Sequence, residues 1–151
     1  EVFPNAIFTL AGNIDLQNPE SITRAELMDR LHDSNVNYIG YCKNIYIEIC
    51  KSNIAVLPSY REGLPKFLIE AAASGRASIS TFAPGCSDVI DNYKTGILVP
   101  IKNSKAIADA IIYLLENDAL RYKMGEEARR KAAKLYSMKH IIDAHMNLYK
   151  N

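Results

Sequence analysis

The sequence has 151 residues and 48% of them are hydrophobic, which suits one domain with a buried core and excludes a disordered chain. Eighteen basic residues against 17 acidic ones leave a net charge of +1, so charge gives no reason to expect a nucleic-acid partner. The three cysteines show no C-x-x-C spacing and favour reduced thiols over a disulfide framework or a zinc site.

Short apolar runs alternate with amphipathic segments along the chain. In chain order the sequence predicts a strand at 6–11, a helix capped by Ser21, a strand at 36–39, a helix at 45–50 and a strand at 54–57. There follow a helix at 65–74 ended by Gly75, a strand at 77–81, a turn at Pro84-Gly85 and a short strand within 96–100. The remainder is predicted to be helical, with caps at Ser104, Asp118 and Ser137.

Alternating strand and helix signals with short connections predict an α/β fold. The expected architecture is a Rossmann-like, doubly wound parallel sheet with helices on both faces. In such sheets ligands bind at the carboxyl ends of the strands, close to helix N-termini. The search for a functional site therefore starts at the loops that follow the strands.

The loop between the strand at 54–57 and the helix at 65–74 carries the clearest chemistry. Pro65 suits the first helical position, because its fixed φ fits there and its missing N–H needs no partner. Gly63 has no β-carbon, so a ligand can approach the backbone closely. The free amides and the dipole of the helix start favour an anion such as a diphosphate.

Two carboxylates flank this predicted anion site. Glu70 stands five residues past Pro65, roughly 7–8 Å along the helix axis at ~1.5 Å per residue, where a carboxylate can accept hydrogen bonds from a ribose. Glu62 stands at the other end, where a sugar attached to the diphosphate would lie. Two glutamates eight residues apart occur by chance in many helices, so the hypothesis depends on their strand–loop–helix context.

The segment resembles the E-x7-E motif of family 4 glycosyltransferases, which have the GT-B fold. SNIAVLPSYREGLPKFLIEAAASGR is similar to the strand, loop and helix of that family. TFAPGCSDVIDNYKTGILVP is similar to the next strand, its Pro-Gly turn and the last strand, and Met124-Gly125 fits the usual helical tail. The stretches AGNIDLQNPESI and VNYIG resemble the branch that builds bacterial capsule, lipopolysaccharide O-antigen and other surface glycans.

The resemblance implies a role for each matching residue. Glu70 would bind the ribose hydroxyls, and Glu62 would contact the donor sugar and is the candidate catalytic residue. The diphosphate would lie over the helix start, and the nucleobase would lie after the strand at 36–39. The residues implied at these two places are Gly63, Leu64, Pro65 and Lys66 for the diphosphate, and Gly40, Tyr41 and Cys42 for the base.

Two departures from the family pattern affect these expectations. Asp88 stands where relatives often carry Glu, and we interpret residues 84–90 mainly as a structural turn and helix start. The resemblance also implies that residues 1–151 are a single truncated C-terminal donor-binding domain. The first strand and helix, with their basic residues, and the acceptor-binding N-terminal domain would be missing, so the fragment alone is expected to be inactive.

The function implied is that of a retaining hexosyl- or N-acetylhexosaminyltransferase acting in bacterial surface polysaccharide biosynthesis. Its donor would be a nucleotide sugar, expected to be a UDP-sugar, and its acceptor a glycan or a lipid-linked glycan; no metal or other cofactor is expected. The protein would be cytoplasmic, with peripheral association at the inner face of the cytoplasmic membrane. Two alternatives are a non-catalytic nucleotide-sugar-binding or scaffold domain and a GT-B UDP-sugar epimerase.

Overall fold

The computed structural model describes residues 3–15, 17 and 21–149. Leu16 and residues 18–20 of the stretch AGNIDLQNPESI lie outside the described residues. Strands and helices alternate in the order β1 Phe8–Ala11, α1 Arg24–Leu31, β2 Val36–Gly40, α2 Ile45–Lys51, β3 Ile54–Leu57, α3 Lys66–Ala73 and β4 Ala77–Thr81. The chain continues with α4 Cys86–Val89, β5 Gly96–Val99, α5 Ser104–Glu116, α6 Asp118–Leu135 and α7 Met138–Leu148. The predicted α/β class is confirmed.

Contacts divide the chain into two compact units, Glu1–Ile45 and Tyr46–Asn151. In the first unit β1 and β2 pair in parallel, with an irregularity between Leu10 and Ala11. The loops that follow these two strands are joined, because the Gly12 amide donates to the Gly40 carbonyl over 2.8 Å.

The cap of α1 differs from the prediction. Thr23, not Ser21, caps the helix: the Thr23 hydroxyl accepts from the Glu26 amide, and the Glu26 carboxylate accepts from the Thr23 amide at 2.7 Å. This reciprocal pair needs an acidic residue three positions after the cap. Thr23 has Glu26 there, whereas Ser21 has Arg24. The Thr23 amide and the Thr23 hydroxyl both donate to the Glu26 carboxylate, and these two hydrogen bonds lower the pKa of that carboxyl.

The second unit is a parallel three-stranded sheet in the order β3-β4-β5 with helices on both faces. Every residue of β4 is buried, as expected of a central strand. Alternate strand residues enter two cores. One is formed with α5 and α6 by Ala77, Ile79, Ile97, Val99, Ala110, Leu114 and Met124, and the other with α3 and α4 by Leu68, Ala83, Cys86, Val89, Ile90 and Leu98.

Two glycines set the packing at the end of α3. Gly75 has φ +68°, as predicted for the residue that ends the helix. A β-carbon on Gly125 would overlap the Gly75 carbonyl oxygen, so α6 lies directly against this turn. The Gly125 position therefore requires a residue without a side chain.

The other helix boundaries refine the predicted ones. The side chain of Asn103, not Ser104, caps α5 by accepting from the Ala106 amide at 2.9 Å. Asp118 is the first residue of α6 rather than its cap, and its carboxylate pairs with Arg121 at 2.6 Å. Ser137 caps α7 as predicted, accepting from the His140 amide.

The apolar stripe of α7 has no cover in the described part of the chain. Every residue of this helix is exposed, including Ile141, Ile142 and Leu148. None of the helices that the structure describes is both long and apolar enough to span a lipid bilayer.

Candidate functional site

The loop of residues 58–65, between β3 and α3, is anchored to β4 by two side chains. The Ser80 hydroxyl donates to the Leu57 carbonyl at 2.7 Å, and the Thr81 hydroxyl donates to the Ser59 carbonyl. Ser80 and Thr81 are both buried, so these bonds are partly shielded from water. The start of the loop is therefore fixed to the central strand.

The middle of this loop lies against the next loop, residues 82–85. Gly85 is buried and has φ +80°. A β-carbon there would overlap the Gly63 carbonyl oxygen and stand 2.7 Å from the Glu62 carbonyl oxygen. The backbone of Glu62 and Gly63 can occupy its position because Gly85 has no side chain.

Free amides point from this loop and the start of α3. In residues 3–15, 17 and 21–149, no acceptor is found for the amides of Glu62, Gly63, Leu64, Lys66 and Phe67, whereas those of Leu68 and Ile69 both donate to the Pro65 carbonyl. The unpaired amides at a helix start, together with the helix dipole, form an anion-binding arrangement. Such an arrangement suits the oxygen atoms of an anion such as phosphate.

The residues predicted to contact the diphosphate, the ribose and the donor sugar all lie on this loop and on α3. Pro65 is buried with extended ψ (102°), so it precedes α3, and the helix begins at Lys66 rather than at Pro65 as predicted. Glu62 is half-buried in the loop, while Leu64, Lys66 and Glu70 are exposed. At ~1.5 Å per residue, Glu70 lies roughly 6 Å along the axis from Lys66.

The predicted nucleobase residues belong to the first unit. Gly40 ends β2 with φ +64°, and Tyr41 and Cys42 follow it. The Tyr41 side chain is exposed and Cys42 is half-buried. The Tyr38 hydroxyl donates to the Gly12 carbonyl at 2.9 Å, which ties the turn after β1 to β2.

A third loop, after β5, carries a residue that sequence reasoning missed. The Lys102 ammonium lies 5.8 Å from the centre of the Tyr60 ring, and Tyr60 is part of the 58–65 loop. Lys102 has φ +58°. No sequence signal identifies a lysine in this conformation, because glycine and asparagine are the residues usually found there.

Residues 84–90 form the turn and short helix that the sequence predicted. The Asp88 residue is exposed. Its backbone carbonyl accepts from the Lys131 ammonium at 3.0 Å and from the Tyr136 hydroxyl at 3.2 Å. Lys131 also pairs with the Asp91 carboxylate at 2.8 Å. Burial, then the charges of Asp88 and Asp91, raise the pKa of Tyr136. These contacts hold α4, which directly follows Gly85, against α6.

Other features of the described residues lie elsewhere. One open cavity of about 380 Å³ borders α6, and another of about 380 Å³ borders β5 and α5. No residue of the 58–65 loop lines either cavity. Within the described ranges, no three His, Cys, Asp or Glu side chains are grouped so that they could hold a metal ion. Free amides and flanking carboxylates, rather than a deep cavity, therefore mark the candidate site.

Comparison with known proteins shows the family to which the chain is similar. The family model described as "Glycosyl transferases group 1" matches residues 1–131. The chain is 32% identical over 144 residues to the N,N'-diacetylbacillosaminyl-diphospho-undecaprenol alpha-1,3-N-acetylgalactosaminyltransferase of Campylobacter jejuni, covering 95% of this chain and 37% of that protein. It is 27% identical over 145 residues to the capsular polysaccharide biosynthesis glycosyltransferase CapM of Staphylococcus aureus, covering 96% of this chain and 38% of that protein.

A solved structure shares the fold. Anabaena HepE in complex with UDP-glucose superposes with a TM-score of 0.87 at 16% identity, covering 98% of this chain and 42% of that one. The chain thus spans less than half the length of each of these relatives.

Proposed function

The chain belongs to the glycosyl transferases group 1 family, and we propose that it forms the donor-binding part of a retaining glycosyltransferase. The observation that carries this proposal is the row of free amides from Glu62 to Phe67 at the start of α3, with Glu62 and Glu70 on either side. A nucleoside diphosphate sugar presents a diphosphate between a ribose and a sugar, which matches this order of groups.

Each part of the site has a role in this proposal. The amides of Gly63 and Leu64, with those at the start of α3 near Pro65 and Lys66, bind the diphosphate. Glu70 accepts hydrogen bonds from the ribose hydroxyls. Glu62 contacts hydroxyls of the donor sugar and is the candidate catalytic residue. The nucleobase is assigned to the segment Gly40, Tyr41 and Cys42, which follows the end of β2.

The chemical task of the site is to stabilise a leaving diphosphate. As the bond between the sugar and the diphosphate breaks, negative charge grows on the phosphate oxygens, and fixed backbone N–H groups stabilise this charge without reorganising. The sugar is transferred with its α-configuration retained. In the whole enzyme, substitution of Glu62 by Gln should then act mainly on kcat, because the partner of Glu62 is the reacting sugar.

The donor proposed is a UDP-sugar, carrying a hexosyl or N-acetylhexosaminyl group, and no metal is required. Support comes from the named Campylobacter relative, an N-acetylgalactosaminyltransferase, and from the UDP-glucose complex of HepE. The acceptor proposed is a glycan or a lipid-linked glycan for a bacterial surface polysaccharide, in line with the names of the Campylobacter and Staphylococcus relatives. The acceptor would bind to a separate N-terminal domain of the whole enzyme, at the cytoplasmic face of the membrane.

We further propose that residues 1–151, as one donor-binding domain, bind the donor but do not transfer the sugar by themselves. A saturation-transfer NMR screen of UDP-, GDP- and ADP-sugars against this chain tests the donor assignment. Signals from UDP-sugars that UDP competes away would support it. Equal saturation of the three nucleotide sugars would contradict a UDP preference, and no saturation of any of them would contradict donor binding.

A further inference from the structure

The loop after β5 contacts the loop of residues 58–65, here called the Glu62 loop, through a pair of side chains. The Lys102 ammonium lies over the face of the Tyr60 ring, 5.8 Å from its centre. A cation at this distance is attracted by the negative face of an aromatic ring. The pair therefore joins the loop after β5 to the loop after β3.

The backbone of Lys102 adopts a conformation that is costly for a lysine. Its φ of +58° is in the left-handed region, where the β-carbon of an L-residue crowds the carbonyl group. Asn103, the next residue, caps α5, so the turn that contains Lys102 is fixed by the start of that helix. Glycine would relieve the strain but would remove the ammonium from the Tyr60 ring.

The contact completes the attachment of the Glu62 loop. Thr81 holds the carbonyl of Ser59, and Gly85 lies against the backbone of Gly63. Tyr60 lies between these two points, and its side chain is 64% exposed. The Ser59 hydroxyl closes the turn around Tyr60, because it donates to the Arg61 carbonyl and accepts from the Arg61 amide. Lys102 lies over one face of the exposed ring and adds a contact from another loop to this turn.

We propose that Lys102 is a positioning residue for the donor site, acting through Tyr60 to order the backbone amides of Gly63 and Leu64. This inference rests on the proposed donor-binding function. If the amides are already ordered, the loop loses less conformational entropy when the diphosphate binds. The contact between Lys102 and Tyr60 should therefore increase the affinity for the nucleotide.

The first test compares UDP affinity and thermal stability in four variants of the chain. Lys102→Met removes the charge and should weaken UDP binding by about two- to fivefold, the range expected of an exposed cation–π contact, whereas Lys102→Arg should bind like wild type. Lys102→Gly should bind as weakly as Lys102→Met but have a higher Tm, because the backbone strain is relieved. Asp33→Gly is the matched control, since Asp33 also has φ +58° and is exposed. This control should raise Tm with unchanged affinity.

The second test asks whether Lys102 acts through Tyr60 or touches the nucleotide directly. Tyr60→Leu should lower affinity as Lys102→Met does, and Tyr60→Phe, which keeps the ring, should not. The double variant K102M/Y60L should bind no more weakly than either single variant, because one contact has been lost in all three. Additive losses would mean that Lys102 contacts the phosphates itself, and would overturn the proposal.

A measurement without ligand separates this inference from the proposed function. The 15N relaxation of the Gly63 and Leu64 amides should show greater fast motion in K102M and Y60L than in wild type, K102R and Y60F. If wild type fails to bind UDP but the relaxation changes as expected, the proposed function fails and Lys102 still orders the loop. If the relaxation of these amides is the same in all variants, the positioning role is wrong.

Discussion

Gly85 lies directly against the backbone of Gly63, so closely that a β-carbon at position 85 would overlap the Gly63 carbonyl oxygen. The two glycines are on different loops, one after β4 and one after β3. Their contact fixes the position of the Glu62 loop relative to the sheet. It thereby also fixes the position of the free amides at the start of α3. The first prediction comes from this contact, and the second from the open space beside Gly63.

Gly85→Ala should displace the Glu62 loop. The added β-carbon must be accommodated at a buried position with φ +80°, which should cost about 1–3 kcal/mol of stability for overpacking, plus roughly 1 kcal/mol for the backbone conformation. Nucleotide affinity should fall by roughly tenfold or more, which corresponds to about 1.4 kcal/mol. Calorimetric titration with UDP, alongside urea unfolding, measures both. Gly12→Ala is the control, since Gly12 also has positive φ but no atom lies within 4 Å of the new β-carbon. If G85A bound UDP at wild-type strength, the role of this contact in placing the amides would be refuted.

Gly63→Ala should separate folding from binding. No atom lies within 4 Å of a β-carbon at position 63, so the free energy of unfolding should change by less than about 0.5 kcal/mol. Binding should nevertheless weaken, because the methyl group occupies the space through which phosphate oxygens approach the amides. UDP titration and urea unfolding of the same sample check this. A G63A variant that is stable and binds UDP normally would place the diphosphate elsewhere.

Glu70→Gln should remove a charge-assisted hydrogen bond to the ribose. The expected loss is about 1.5–3 kcal/mol, or roughly 10- to 150-fold in affinity. The same variant should have little effect on binding of a UDP analogue that lacks both ribose hydroxyls, because the bond is absent there already. Glu116→Gln, at the end of α5, is the matched control. An equal effect of Glu70→Gln on the two nucleotides would show that Glu70 does not bind the ribose.

Tyr136 predicts a pH dependence of stability. Burial and the nearby acidic residues raise its folded-state pKa above the ordinary value of about 10, so the neutral phenol is favoured in the folded protein. This contribution is fully present below about pH 10 and is lost as the pH rises through the raised pKa. Wild type should exceed Tyr136→Phe in stability by about 0.5–1.5 kcal/mol at pH 8 because of the hydrogen bond to Asp88.

The advantage of wild type over Tyr136→Phe should shrink between pH 10 and 11. Urea unfolding of both proteins across this range measures the difference. Tyr46, whose pKa is also raised, is present in both proteins, so the comparison cancels its effect. A difference that stays constant from pH 8 to 11 would mean that Tyr136 titrates normally.

Local signals in the sequence predicted the elements of the site well. The strand before Pro58, the helix after Pro65 and the left-handed Gly75 each depend on residues adjacent in the chain, and each was confirmed within one or two positions. The caps at Ser21 and Ser104 were wrong, because a neighbouring Thr23 or Asn103 made the better hydrogen bond. Such competition between nearby polar residues is decided by backbone geometry that the sequence does not contain.

Contacts between loops could not be predicted in the same way. Gly85 against Gly63, and Lys102 over Tyr60, join residues more than 20 positions apart, and no periodic pattern indicates either pair. The apolar side of α7 is a similar case, because Ile141, Ile142 and Leu148 are exposed in the structure. Amphipathic spacing predicts a helix and its apolar side, but it does not identify what that side packs against.

The central claim is that the amides from Glu62 to Phe67 bind the diphosphate of a UDP-sugar. A titration of the 15N-labelled chain with UDP, followed through the amide resonances, tests it most directly. Binding should be weak, on the order of millimolar or about 4 kcal/mol, with the largest shifts at Gly63, Leu64 and Lys66 and further shifts at Glu70 and at residues 40–42. Saturable shifts confined to other parts of the chain, with the amides of residues 62–67 unmoved, would contradict it.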